Sequence, residues 1–286
     1  HGYEVTRQDL ETIVTKLAKM TYEERYNIPG ISDRRAEIIL PGALILLETM
    51  IMLKLDSITI CERALREGMI VDWMLTRGLI SDRLKYQNEV RNRNVIKIAR
   101  KYQVDLDHSQ RIANFALSIF DQTQNILHHW GTQERELLWS AAILHNCGIY
   151  ISHSSHHKHS YYLIRNAELL GFTELELELI ANIARYHRKS KPKKKHECFQ
   201  KLVHKSQQLM VRQVSAILRL AVALDRRKKG AITELKCHWN AEDRELEIHL
   251  HPQEIGDDCA LELWSLGYKK PIFEEEYDVK VIPRIV

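Results

Sequence analysis

The stretch Leu144–Ile164, LHNCGIYISHSSHHKHSYYLI, places five imidazoles, His145, His153, His156, His157 and His159, within fifteen residues. Imidazole nitrogen ligates borderline divalent metals, and its protonated form donates to anions, so such a cluster serves either a metal or a phosphate. Asn146 follows His145 at a position where a carboxylate would serve a metal better, because a carboxamide offers a carbonyl lone pair and no charge. A second grouping lies downstream, where Arg185 to Lys205 holds nine Lys or Arg, one Glu, and His187. Ammonium and guanidinium groups grip phosphate as a point charge and as a fork respectively. A run this basic beside histidines suits a long polyanion such as polyphosphate, nucleic acid or a nucleotide tail, with a solvated loop as the plain alternative. Few aromatic residues interleave it, which argues against nucleic acid held by base stacking. The residues expected to bind the polyanion are His156, His157, Lys158, Arg185, His187, Arg188, Lys193, Lys194 and Lys195. The histidine cluster from His153 to His159 is expected to bind more strongly below about pH 6.5, where imidazole becomes cationic.

Composition sets the frame for these groups. The chain has 286 residues, 44% of them apolar and 28% charged, enough for a substantial core in two or three domains. The longest apolar run, IILPGALILLETMIML, is broken by Pro41, Gly42 and Glu48, and it falls short of the roughly 20 residues of a membrane span. With no secretory leader and five scattered cysteines lacking a CxxC pair, we expect free thiols, a cytoplasmic setting and no membrane partner. The net charge of +4 is uneven: residues 230–286 hold 13 acidic and 6 basic side chains, a balance of −7 that leaves +11 on the rest. That asymmetry predicts a basic part that meets an anion and an acidic appendix that does not.

Periodicity then places the groups on elements. Thr6-x-x-Asp9 reads as a near capping box before Leu10, Ile13, Val14 and Leu17 at helical spacing. Pro29-Gly30 marks a turn, Ser32 a cap, and the apolar run after it a buried helix; SITIC reads as a strand without partners and ALREGMIVDWML as a helix. This is the order of the closing part of an α/β domain, over residues 1–82. Because one strand cannot build a sheet, and because the chain opens His-Gly-Tyr, we expect further sequence upstream. Residues 83–229 carry helical stripes throughout, among them Ile112, Phe115, Ala116 and Ile119, and a Thr173-x-x-Glu176 capping box. Beyond Gly230 the period becomes two, in ELKCHW and RELEIHLH; ALELW and DVKVIPRI read as two more strands around a helical PIFEEEY, giving a small α+β domain over residues 230–286. The class is mainly α.

His108 in DHSQR, His145-Asn146 in AAILHNCG and Asp225 in AVALDR lie in order on separate predicted helices. That order resembles the HD superfamily of metal-dependent phosphohydrolases, in which an outer His, an adjacent His-Asp pair and a distal Asp converge on a divalent metal. The resemblance nominates His108, His145 and Asp225 as metal ligands and breaks at Asn146. The set is therefore degenerate, and we expect a buried hydrogen-bond network there in place of a bound metal.

The whole chain carries a broader likeness. HGYEVTRQDLE, IPGISDRRAEIILPGALIL, ALREGMIVDWM, HSQRIANFALSIFDQ, LLWSAAILHNCGIYISHSSHHKHSYYLI and IARYHRK resemble the exopolyphosphatase and guanosine-pentaphosphate phosphohydrolase family (Ppx/GppA). The resemblance implies an actin-like, ribonuclease H-like fold whose closing part is residues 1–82, then an HD-like helical domain over 83–229, then a small C-terminal domain. It implies inorganic polyphosphate as partner, with guanosine polyphosphate as the alternative, and homodimers. It also implies Mg²⁺ for the parent enzyme, held with the catalytic carboxylates and phosphate loops outside this segment, so no catalytic residue is assigned here. The implied function is the C-terminal part of an exopolyphosphatase that binds the polyanion. A guanosine-pentaphosphate phosphohydrolase, a stand-alone HD-type nucleotide phosphohydrolase, and a module docking an acidic protein are the alternatives.

Overall fold

The computed structural model describes residues 2–61, 65–76 and 83–286. The chain divides into two compact units, His1–Ile80 and Ser81–Val286. The expected boundary after residue 82 falls within 77–82, outside the described residues.

The first unit runs β1 (Glu4–Thr6), α1 (Arg7–Ala18), α2 (Tyr22–Tyr26), α3 (Asp33–Met52), β2 (Ser57–Thr59) and α4 (Leu65–Thr76). Thr6 caps α1 in a full capping box with Asp9, and Leu10, Val14 and Leu17 turn inward while Ile13 stays exposed. The strand read from SITIC does have a partner, because β1 and β2 pair antiparallel from Glu4–Thr59 to Thr6–Ser57. A three-residue strand is too short to show a period of two, which is why β1 is hidden in the sequence. The helix expected to be buried, α3, is mostly not. Only Ala36, Leu47 and Met50 are buried, while Ile38, Ile45 and Met52 are 62%, 69% and 81% exposed. Within this unit a small cluster of Leu10, Val14, Leu47 and Met50 covers a single stripe of a helix that is apolar all round.

The second unit contains α5 (Arg83–Lys101), α6 (Leu106–Thr123), α7 (Thr132–Leu144), a 3-10 turn (Cys147–Tyr150), α8 (His156–Arg165), α9 (Glu174–Arg185), α10 (Glu197–Gln200) and α11 (Lys205–Ala223). The chain then forms β3 (Ile232–Asn240), β4 (Glu245–Pro252), α12 (Ala260–Tyr277) and β5 (Lys280–Ile285). Helices α6, α7, α9 and α11 supply most of the core, through residues such as Ile112, Phe120, Leu144, Ile180 and Leu218. Arg91 ties α5 to its neighbours by ion pairs with Glu136 at 2.8 Å and Glu176 at 3.0 Å.

The C-terminal strands differ from expectation in one respect. ALELW is not a strand but the start of α12, which continues through Pro271 to Tyr277. The apolar–polar alternation there arises because Glu262 points inward to hold Arg227, by both carboxylate oxygens, while Leu261 is exposed. Pro271 lies inside α12 four residues after Gly267, which is exposed at the surface. Helix α12 is the crossover that brings β5 parallel to β4, while β3 pairs antiparallel with β4, giving the order β3-β4-β5. Residues 230–286 have no core of their own: Ile232, Leu250, Phe273 and Val281 belong to the same hydrophobic cluster as the helices before them. Among the described residues no helix is long and apolar enough to cross a membrane.

Candidate functional site: a file of buried histidines between opposite charges

Helix ends build this site. His108 lies in the first turn of α6, whose N-cap Asp105 accepts from the His108 amide at 3.1 Å. His145 caps the C-terminus of α7, His156 opens α8, His187 follows α9, and Asp225 follows α11. Ser155, just before α8, adopts a left-handed conformation (φ 54°) and turns the chain sharply into that helix. Gly148 is required beside it, since a Cβ there would lie 2.1 Å from the His156 carbonyl oxygen and 2.3 Å from the Ser160 amide. Ser160 closes the same junction, donating to the His145 carbonyl at 2.7 Å and accepting from the Gly148 amide at 2.9 Å.

Four rings form a file. His108 and His145 have centroids 6.1 Å apart, His145 and His187 4.9 Å, and His187 and His156 5.4 Å with nearly parallel planes. At one end His108 Nδ1 meets Asp225 at 2.7 Å, and Asp225 also accepts from Arg111 Nε at 2.8 Å and the Gly230 amide at 2.9 Å. Burial pushes the Asp225 carboxyl up, but these hydrogen bonds outweigh it and hold it below its ordinary value. At the other end Arg188 Nη1 lies 3.0 and 3.2 Å from the two ring nitrogens of His156. A guanidinium only donates, so His156 accepts and is neutral.

His145, His187 and His156 are the neutral rings of the file. His145 and His187 each place Nδ1 against a backbone carbonyl, that of Ala142 at 2.6 Å and of Ala184 at 2.7 Å. A carbonyl only accepts, so Nδ1 carries the proton and Nε2 is left a bare acceptor. In His145 that Nε2 is buried without a partner. Burial pushes His145 down to about 3, and His156 and His157 to about 4. His187 is driven well below its ordinary value, by burial first and the neighbouring His145 next.

These facts correct the expectation that His156 and His157 meet phosphate as cations, since both are buried and take up no second ring proton near neutrality. They also bear on His108, His145 and Asp225 as a ligand set. The structure does bring the three together, but the donor set does not fit a divalent cation. The Arg111 guanidinium occupies the Asp225 carboxylate, and His108 spends Nδ1 on the same oxygen. Asn146 instead lines a cavity of about 370 Å³ with Tyr102, Ser109, Tyr150 and Lys228. Among the described residues no three His, Cys, Asp or Glu side chains are grouped to hold a metal ion.

The basic run forms a separate rim. Lys158, Lys193, Lys194 and Lys195 are exposed and have no acidic partner among the described residues. The loop bearing the last three is held in place, because the Lys193 and Lys194 carbonyls accept from the His196 amide and from Gln200 at 2.9 Å each. Burial lowers the basicity of His196, and the charges of Arg185, Lys193, Lys195 and Lys158 lower it further. Residues 37 positions apart in sequence thus act on one imidazole. Arg185 sits over the Tyr161 ring at 5.6 Å. Lys191 differs from its neighbours in pairing with Glu275 of α12.

Sequence reasoning missed Arg111 and Lys269. Lys269 lies on the acidic segment expected to stand apart from any anion, yet its charge bears on His145 and His187. A lone lysine in an acidic helix carries no sequence signal of such a role.

Residues 90–270 match the family described as Ppx/GppA phosphatase, domain III, and residues 1–77 match the Ppx/GppA phosphatase family.

Proposed function

This chain belongs to the Ppx/GppA phosphatase family, and from that premise we propose that it is the substrate-gripping part of an exopolyphosphatase. The reaction is hydrolysis of the terminal anhydride of inorganic polyphosphate: water attacks the terminal phosphorus in line, the bridging oxygen leaves with the shortened chain, and orthophosphate is released. The residues of this chain would bind the chain and orient it. In this reading the carboxylates that activate water and hold Mg²⁺ lie outside the described residues.

One observation carries the proposal. Lys158, Arg185, Lys193, Lys194 and Lys195 form a rim of cations without a carboxylate partner among the described residues, and the 193–195 loop is tied to His196, whose ring stacks on Tyr186 beneath Arg185. Such a rim costs free energy in self-repulsion, which a polyanion relieves by releasing its counterions. The restrained backbone of the 193–195 loop lowers the entropy lost when the lysines engage.

The test is long-chain polyphosphate binding as a function of salt, for the wild type and for a Lys193→Ser/Lys194→Ser/Lys195→Ser variant. The variant should bind more weakly, with a salt slope shallower by about 0.7–0.9 per lost phosphate contact. An unchanged affinity and slope would make the run a solvated loop and remove the proposal's support.

A further inference from the structure

Asn146, whose amide stands where a metal site would carry a carboxylate, is used by neither the ring file nor the basic rim. Its side chain has no hydrogen bond among the described residues, and it lines the cavity of about 370 Å³ with Tyr102, Asp105, Ser109, Tyr150 and Lys228. That volume suits one small molecule. Four segments meet there: the end of α5, the first turn of α6, the 3-10 turn and the turn after α11. Ser109 lines this space and is completely buried, and its hydroxyl has no partner. A buried hydroxyl without a hydrogen bond is costly, and a ligand that reaches it recovers the loss. Gln103 (φ 51°) and Lys228 (φ 58°), which both border the cavity, hold left-handed conformations that glycine adopts freely. Each nonetheless carries a long polar side chain. The Lys228 backbone is fixed, its amide donating to the Asp225 carbonyl at 3.1 Å and its carbonyl accepting from Arg111 at 2.9 Å.

We infer that this cavity is a binding site for a nucleoside monophosphate, separate from the rim and beyond the exopolyphosphatase reading. Three features select the ligand class. Tyr102 and Tyr150 meet edge to face, with centroids 5.6 Å apart and planes at 61°, and so form a corner in which a flat ring stacks on one and abuts the other. The amides of Asn146 and Gln103 each present a donor beside an acceptor, the complement of a base edge. Cations outnumber carboxylates at the cavity. The Lys228 ammonium has no partner among the described residues, and Lys101 Nζ lies 5.4 Å from the Tyr102 centroid, while Asp105 spends Oδ1 on the His108 amide. A single phosphate answers that balance, whereas a bare nucleoside would leave the Lys228 ammonium unpaired. The Ser109 hydroxyl, donor and acceptor at once, is left for the sugar or the base. A nucleotide held there would tie the end of α5 to the turn after α11 and stabilise the fold by mass action.

The experiment measures calorimetric binding of the four common ribonucleoside 5′-monophosphates to the 286-residue chain, then of ribose 5-phosphate and of the nucleoside matching the tightest nucleotide. Wild type is compared with Tyr150→Ala, Lys228→Gln and the 193–195 triple variant, each checked for folding by circular dichroism. Tyr150 is 56% exposed and Lys228 is exposed, so both substitutions leave the core untouched. At least one monophosphate should bind, and it should raise the melting temperature of wild type. Tyr150→Ala should weaken the nucleotide and its nucleoside alike, by about tenfold. Lys228→Gln should weaken the nucleotide by about tenfold and leave the nucleoside unchanged, a split that a merely damaged fold would not give. Ribose 5-phosphate, which lacks the base, should bind about tenfold more weakly or worse. The triple variant should bind the nucleotide as wild type does. Wild-type indifference to all four monophosphates, equal binding of ribose 5-phosphate, or unchanged affinity in both single variants would overturn the inference while leaving the rim reading intact. Loss of nucleotide binding in the triple variant, with Tyr150→Ala unaffected, would also overturn it by placing the nucleotide on the rim.

Discussion

Acid should destabilise this protein well above the pH at which its carboxylates titrate. The perturbation is a shift from about pH 7.5 to pH 5. An unfolded imidazole titrates near 6.5, whereas His145 titrates near 3 and His156 and His157 near 4. At pH 5 the unfolded chain has taken up protons that the folded chain refuses, so stability falls as pH falls through this window. At about 1.4 kcal/mol per unit, the gap of 1.5 units costs about 2 kcal/mol for each histidine. Three histidines give an upper bound of about 6 kcal/mol, and His187 adds in the same direction. Halving this for mutual coupling and water penetration leaves about 3 kcal/mol, a large share of the 5–15 kcal/mol typical of a whole protein. The melting temperature should drop by roughly 6–12 °C. The assay is thermal unfolding followed by circular dichroism at constant ionic strength, from pH 8.5 to 4.5. Stability should keep rising gently from about pH 7 to 8.5, because Lys269 loses its proton in the folded state long before the unfolded state does. Above that range the buried thiols of Cys147 and Cys237, pushed up to about 12, reverse the sign. A flat profile between pH 7.5 and 5, or a gain of stability on acidification, would refute the neutral file.

Two further outcomes follow from the same geometry. Gly148→Ala should cost about 3 kcal/mol or more, because its Cβ meets backbone atoms of α8 that cannot rotate aside; a melt within a few degrees of wild type would contradict the close approach. Asn146→Asp alone should show no Mn²⁺-dependent rise in melting temperature, while Asn146→Asp/Arg111→Leu should show one, because the first leaves Asp225 locked by Arg111. A clear metal response in the single variant would mean that the lock is weak.

How far the sequence announced this arrangement depends on the kind of signal each part leaves. The helices of residues 83–229 were legible because their stripes are long; α6 buries Ile112, Phe115, Ala116 and Ile119 on one face, as their spacing requires. The β3 and β4 alternation was legible for the same reason, with Leu235, Leu246, Ile248 and Leu250 buried. Helix α12 was misread because its buried residues include Glu262, a carboxylate whose partner Arg227 lies 35 positions away. The site was half legible. His108, His145 and Asp225 do assemble, but their protonation was not, since it follows from burial and from carbonyls three residues upstream. Residue type announces what a side chain can do in water; desolvation by distant chain decides what it does here.

The parallel pairing of β4 with β5 has a consequence for the order in which this protein can be made. Val281 of β5 and Phe273 of α12 are completely buried in the cluster that begins at Val95. The β3–β4 hairpin can close as soon as it is synthesised, but its third strand cannot pair until about 30 further residues have emerged. Helices α6 to α11 must therefore wait on the ribosome with an uncovered apolar face where α12 will lie. A nascent chain stalled short of α12 would display that apolar face and be open to misassembly.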